Sequence, residues 1–170
     1  MSVTLREMTA EEFEVFRRYS IEHQAAEIAA AEQLPPEKAL SEAEKEFSEM
    51  LPEGAATADN HLFAVVRTAD GADVGAIWYL EEMCEGVKQA FVCDFVIREP
   101  YRRTGCGSAA LCRAELDATE RGCAECALFV ANDNPPATAL YEKMRLCLSK
   151  GAQLRQIYEE NAVKRRGKGH

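Results

Sequence analysis

The sequence predicts an α/β fold of the α+β kind: a mixed, mostly antiparallel sheet of six to seven strands with helices on both faces. Three observations carry that expectation. Apolar residues recur at helical spacing before residue 54 and after residue 105, β-favouring runs with turn signals between them fill the middle, and a strand-helix-strand succession follows residue 97. Antiparallel neighbours plus one crossover give a mixed sheet whose two faces both need cover. The chain has 170 residues, 47% hydrophobic and 29% charged, which suits one domain, expected over residues 1–163, and excludes a second domain with its own core.

Residues 3–8 alternate apolar and polar, as a first strand would, and Thr9-Ala10-Glu11-Glu12 then has the form of a capping box. Phe13, Phe16 and Ile21, with alanines at 25, 26, 29, 30 and 31 and no Gly or Pro, carry the helix to about Gln33. Pro35-Pro36 breaks the chain, and Pro36 suits a first helical turn. Leu40, Ala43, Phe47 and Met50 form the stripe of a second, acidic helix that stops at Pro52-Glu53-Gly54. The runs 62–66 and 74–80, separated by Thr68-Ala69-Asp70-Gly71, read as a hairpin. A third β run, 90–97, leads through a basic, glycine-containing loop into a helix whose Leu111, Ala114 and Ala118 share a face and which Gly122 ends. Residues 126–131 form a short apolar strand, Pro135-Pro136 begins another helix with Ala137, Leu140, Tyr141 and Met144 on one stripe, and 146–148 and 152–158 are two short closing strands.

The net charge is −9, and Lys164, Arg165, Arg166 and Lys168 in the last residues carry +4, which leaves −13 on residues 1–163. So acidic a body repels a phosphate backbone, which excludes nucleic acid as a general partner and favours a cationic ligand. The tail 164–170 reads as a disordered, solvated end. No apolar stretch approaches the roughly 18 residues of a membrane span, and the N-terminus lacks the basic and then apolar zones of a signal peptide, so a cytoplasmic protein without a membrane partner is expected. The seven cysteines are an odd number and read as reduced thiols. Cys123 and Cys126 have a metal-like spacing, but His23, His61 and His170 offer no matching pair, so no metal is expected.

The most informative stretch is Tyr101-Arg102-Arg103-Thr104-Gly105-Cys106-Gly107-Ser108, because it joins a β run to a helix start. Backbone N–H groups at a helix N-terminus cradle an anion, two glycines let it come close, and Arg98, Arg102 and Arg103 add a positive patch. A phosphate or pyrophosphate is the expected ligand. A Walker A loop needs Gly-Lys-Ser/Thr, which is missing. Residues 105–110 do match the dinucleotide pattern G-x-G-x-x-A, but no βαβ repeat precedes them and only 37 residues follow Asp133, too few for a doubly wound sheet.

Together, Arg102-x-x-Gly105-x-Gly107 and Asn134-x-x-Ala137-x-x-Leu140-Tyr141-Glu142-Lys143, in this order after a strand, resemble the signature of the GNAT family of N-acetyltransferases. The resemblance is strong over residues 90–146, and elsewhere it lies in the order of elements. It implies a GNAT-like fold with acetyl-CoA as co-substrate, held in a splayed opening beside the strand 90–97. The pyrophosphate would rest on the amides of Arg103, Thr104, Gly105, Cys106, Gly107 and Ser108 beside Arg102, and the pantetheine arm would pair with Phe95, Val96 and Ile97 as an added strand. Asn134 would contact the cofactor. Tyr141 would protonate the departing thiolate while a primary amine of a small molecule or peptide attacks the acetyl group directly.

Where some members of the family carry a glutamate, Phe129 stands here, so Asp94 becomes the candidate that holds or deprotonates the ammonium. It is the one charged residue in the run 90–97, and a carboxylate there must face a polar cleft or find a partner such as Arg98 or a loop N–H. His61 and His23 stand in reserve. The Gly-Phe or Gly-Tyr that usually follows the Tyr-Glu-Lys helix is replaced by Arg145-Leu146, and Cys106 is either a thiol activated by the helix N-terminus or a buried inert one. The acidic segment 32–53 together with Asp94 leans towards a cationic amine or basic peptide end as acceptor. The alternative to an enzyme is a non-catalytic acyl-CoA-binding sensor or interaction module, and a homodimer through the closing strands is a candidate assembly.

Overall fold

The computed structural model describes residues 1–131, Ala139 and residues 153–159. Its elements are β1 (Val3–Glu7), α1 (Ala10–Glu32), α2 (Pro36–Met50), β2 (Asn60–Arg67), β3 (Asp73–Cys84), β4 (Val87–Ile97), α3 (Cys106–Glu120), β5 (Glu125–Ala131) and β6 (Gln153–Glu159), with short 3-10 turns at Gly54–Ala56 and Glu99–Tyr101. The six strands lie in one sheet in chain order. β1 to β4 are antiparallel neighbours, and β4, β5 and β6 are parallel. The mixed, mostly antiparallel sheet is as expected, with the crossover helix α3 between the first parallel pair.

Each helix start follows from local chemistry. Thr9 accepts a hydrogen bond from the Glu12 amide while the Glu12 carboxylate accepts from the Thr9 amide at 2.8 Å, which satisfies two donors that a helix N-terminus otherwise leaves bare. The Arg6 guanidinium donates to Glu12 at 2.7 Å, and with that bond and the Thr9 amide the Glu12 carboxyl is held down at about 2. Pro36 opens α2, and Gly122, at φ +90°, follows the end of α3.

The sheet separates two apolar layers. On one face Val65, Ile77 and Tyr79 pack against Ala110, Leu111 and Ala114 of α3. On the other, Leu62, Trp78 and Cys93 pack against Phe16, Ile21 and Ile28 of α1 and Phe47 of α2. Burying a side chain such as Phe47 contributes roughly 1.5–3 kcal/mol. The buried line of α2 is Ala39, Ala43 and Phe47, whereas Leu40, expected on the stripe, is 40% exposed. Two alanines with no accessible surface let α2 lie close against α1, and that close approach turns the larger Leu40 outward.

The middle hairpins are longer than their apolar runs. Glu85 and Gly86, both at positive φ, make the two-residue turn that joins β3 to β4, and this carries pairing out to Cys84 opposite Val87. Among the described residues no helix is long and apolar enough to cross a membrane. Ala139 is helical and exposed. The rest of the expected helix after Pro135, with Asn134 and Tyr141, lies outside the described residues, as do the strand 146–148 and the tail 164–170.

Candidate active site

Pairing between β4 and β5 ends early. Gln89 to Val92 face Glu125 to Leu128, after which β5 continues with β6 alone, Phe129 opposite Ile157 and Ala131 opposite Glu159. Residues 93–97 of β4 therefore keep β3 on one side and have no strand of the described sheet on the other. A bulge marks the place where the sheet opens. Trp78 pairs with Asp94 and Tyr79 with Val92, so Cys93 is the extra residue of the bulge. The extra residue puts Cys93 and Asp94 on the same, α1-facing side, Cys93 within the apolar layer and Asp94 against Ser20.

Asp94 is half-buried and accepts a hydrogen bond from the Ser20 hydroxyl at 2.7 Å. Arg98, considered as its partner from the sequence, pairs instead with Asp73 at 2.6 Å. Asp94 thus has a neutral donor as its partner, and no cation among the described residues pairs with it. Ser20 is only 3% exposed and belongs to a line on α1, Phe16-Ser20-Gln24-Ile28, in which two polar groups sit on the buried seam. Gln24 reaches Glu46 of α2. Sequence reading passed over both polar residues, although their spacing of four from Phe16 and Ile28 is the signal that could have found them.

The anion cradle stands at the end of the open edge. Arg103 at φ +63° and Gly105 at φ +88° adopt left-handed conformations on either side of Thr104, an arrangement that turns successive amides to one side. Gly105 caps α3 without a side-chain hydrogen bond, and the first turn of the helix contains no acidic residue. The amides of Gly107 and Ser108, both partly exposed, therefore meet an anion without competition. Thr104 donates to the Tyr101 carbonyl at 2.6 Å, which closes the loop on itself. Arg102 donates from Nε to the Ile97 carbonyl at 2.9 Å, tying the loop to the last residue of the open edge. Arg103 is exposed, and Phe95, Val96 and Ile97 are half-buried.

The cysteine and histidine alternatives resolve differently. Cys106 has no accessible surface, and its sulfur lies 3.2 Å from the Thr104 hydroxyl, so it is a buried thiol of the core. Burial raises the Cys123 thiol and pushes that of Cys126 up to about 12, which makes both poor thiolates. His61 lies 2.6 Å from Glu81, which also pairs with Lys88. Burial opposes the Glu81 charge, but hydrogen bonds from Lys88 and His61 outweigh it and hold that carboxyl below its usual range. His61 is thus part of a structural network, stacked on Phe63 and tilted against Tyr79. His23 stacks on Tyr19 and pairs with Glu27.

The opening and the cradle fit a long linear ligand that ends in a pyrophosphate. An unpaired strand edge supplies amide donors and acceptors for a peptide-like arm, and the bare helix N-terminus lies where that arm would end. The model of the acetyltransferase (GNAT) family matches residues 19–145. The uncharacterized N-acetyltransferase YdgE of Bacillus subtilis is 29% identical over 157 residues, 92% of this chain and 99% of its own, and YycN of the same organism is 32% identical over 143 residues, 84% and 91%. The crystal structure of YycN superposes with a TM-score of 0.76 at 31% identity, covering 84% of this chain and 90% of its own. A GNAT family acetyltransferase of Staphylococcus aureus shares the fold at a TM-score of 0.52 and 18% identity, over 79% of this chain and 91% of its own. The chain, built on this split sheet and glycine-capped helix, belongs to the GNAT family of acetyltransferases.

Proposed function

We propose that the protein transfers the acetyl group of acetyl-CoA directly to the nitrogen of a primary amine. The observation that carries this reading is the continuity between the open edge of β4, residues 93–97, and the bare amides that begin α3. When bound, acetyl-CoA supplies an activated acyl group with a thiolate as leaving group. The protein's own residues align and exchange protons. Phe95, Val96 and Ile97 hold the arm by backbone pairing, and the amides of residues 103–108 hold the pyrophosphate, with Arg102 fixing the loop. Asp94, oriented by Ser20, accepts the acceptor's ammonium and takes the proton it sheds, directly or through a water. Asn134 and Tyr141, in the second half of the signature, act as cofactor contact and as general acid to the thiolate. The odd count of seven cysteines supports a reducing, cytoplasmic setting.

The test is release of free CoA thiol in the presence of purified protein, acetyl-CoA and a panel of primary amines, with the products identified by mass. The reading predicts amine-dependent thiol release matched by amide formation. Ester formation from alcohols alone, or no release with any amine, would contradict it.

A further inference from the structure

We propose that the cavity between the N-terminal half of α1 and the sheet receives the body of the acceptor, and that the acceptor is a small monoamine carrying a hydrocarbon or aryl group. This rests on the amine-acetylation reading above and deepens it. The cavity has a volume of about 470 Å³, within the roughly 300–1,000 Å³ of small-ligand sites. Met8, Val15, Phe16, Ala64, Ala76 and Val96 give it an apolar wall, and Glu11, Glu12, Asp73, Arg98 and Arg102 also line it.

The charges at its rim are largely committed. Glu12 is held by Arg6 and Asp73 by Arg98, so beyond Glu11, which is exposed to solvent, a polyamine or a basic peptide would have to break existing ion pairs to find counter-charges in the lining. A carboxylate that pairs with no cation among the described residues adjoins this lining. Asp94 is two residues from Val96 along β4, on the same α1-facing side, and its partner Ser20 follows the lining residue Tyr19 on α1. The Tyr19 phenol is raised above its usual value by burial and then by the charge of Asp94, which agrees with that placement. Val96 also belongs to the open edge of β4, so the cavity and the cofactor opening share a wall. One ammonium at Asp94 with an apolar group running along α1 matches that apolar wall.

Calorimetric titration of ethylamine, hexylamine and spermidine, into the protein alone and with CoA present, tests this. Each buried methylene multiplies affinity by up to about fourfold, so hexylamine is expected to bind at least about tenfold more tightly than ethylamine, with spermidine no better than ethylamine. Val15 is 57% exposed, so Val15→Trp fills the mouth of the cavity without disturbing the core. That variant is expected to abolish the preference for hexylamine and to leave acetyl-CoA affinity unchanged, while Asp94→Asn weakens both monoamines. Equal binding of ethylamine and hexylamine, or tighter binding of spermidine, would overturn the proposal, as would a loss of acetyl-CoA affinity in Val15→Trp, which assigns the cavity to the cofactor. Hexylamine binding with the expected variant effects, but without acetyl transfer to any amine, would sink the acetylation reading and leave the ligand class of the cavity standing.

Discussion

Gly75→Ala is expected to lower the melting temperature by about 6–12 °C and to weaken acetyl-CoA binding by about tenfold or more. A β-carbon at Gly75 would be driven into the Val96 carbonyl oxygen, well inside van der Waals contact, and would stand 3.1 Å from the Ile97 Cα. Neither obstacle is a flexible side-chain tip. Both are backbone of β4, so relief requires β3 and β4 to part, and overpacking of this kind costs on the order of 3 kcal/mol. The parting falls on Val96 and Ile97, the residues whose free edge is to hold the pantetheine arm, and it also disturbs the Arg102 contact to the Ile97 carbonyl. Stability and cofactor affinity should therefore fall together. Gly71→Ala is the control, since nothing lies within 4 Å of its added β-carbon and only its φ of +71° opposes the change, at a cost of about 1 kcal/mol. Equal melting temperatures for the two variants, or unchanged acetyl-CoA binding by Gly75→Ala, would contradict this account of the β3–β4 approach.

Tyr141→Phe is expected to reduce turnover by about 10²–10⁴-fold while leaving acetyl-CoA affinity essentially unchanged. The thiolate of CoA is a base of moderate strength whose departure a proton assists, and a phenol with a pKa of about 10 is protonated at neutral pH and able to supply one. Removing only the hydroxyl keeps the ring and its packing. If Tyr141 served packing alone, Phe would replace it with no kinetic cost, and if the chain were an acyl-CoA sensor there would be no turnover to lose. Steady-state kinetics beside a binding isotherm separates the three. A variant with wild-type turnover contradicts the role of general acid.

Local chemistry that is self-contained was legible in the sequence. Thr9 and Glu12 announce their capping box because both partners lie within one helical turn, and the loop 101–108 announces an anion site because amides, glycines and helix start are consecutive. The Glu85-Gly86 turn was missed because Glu81 and Glu82 before it and Lys88 and Gln89 after it lack the apolar character by which strands are read. Asp94 was singled out as an odd charge in a strand, but its partner was not, because Ser20 lies 74 positions away and only the bulge at Cys93 turns the carboxylate towards it. The outward turn of Leu40 was equally hidden, since it depends on how closely two helices approach. Gly75 reads as an ordinary small residue in a β run until the neighbouring backbone is seen against it.

The central claim is that the gap beside residues 93–97 and the amides at the start of α3 form one site for acetyl-CoA. Calorimetric titration of the purified protein with acetyl-CoA, NADH and ATP tests it most directly, supported by the rise in melting temperature that a ligand selective for the native state must produce. The account predicts saturable binding of acetyl-CoA with a matching thermal shift, and neither response to NADH or ATP at the same concentrations. Absence of acetyl-CoA binding, or equal binding of NADH, would contradict it.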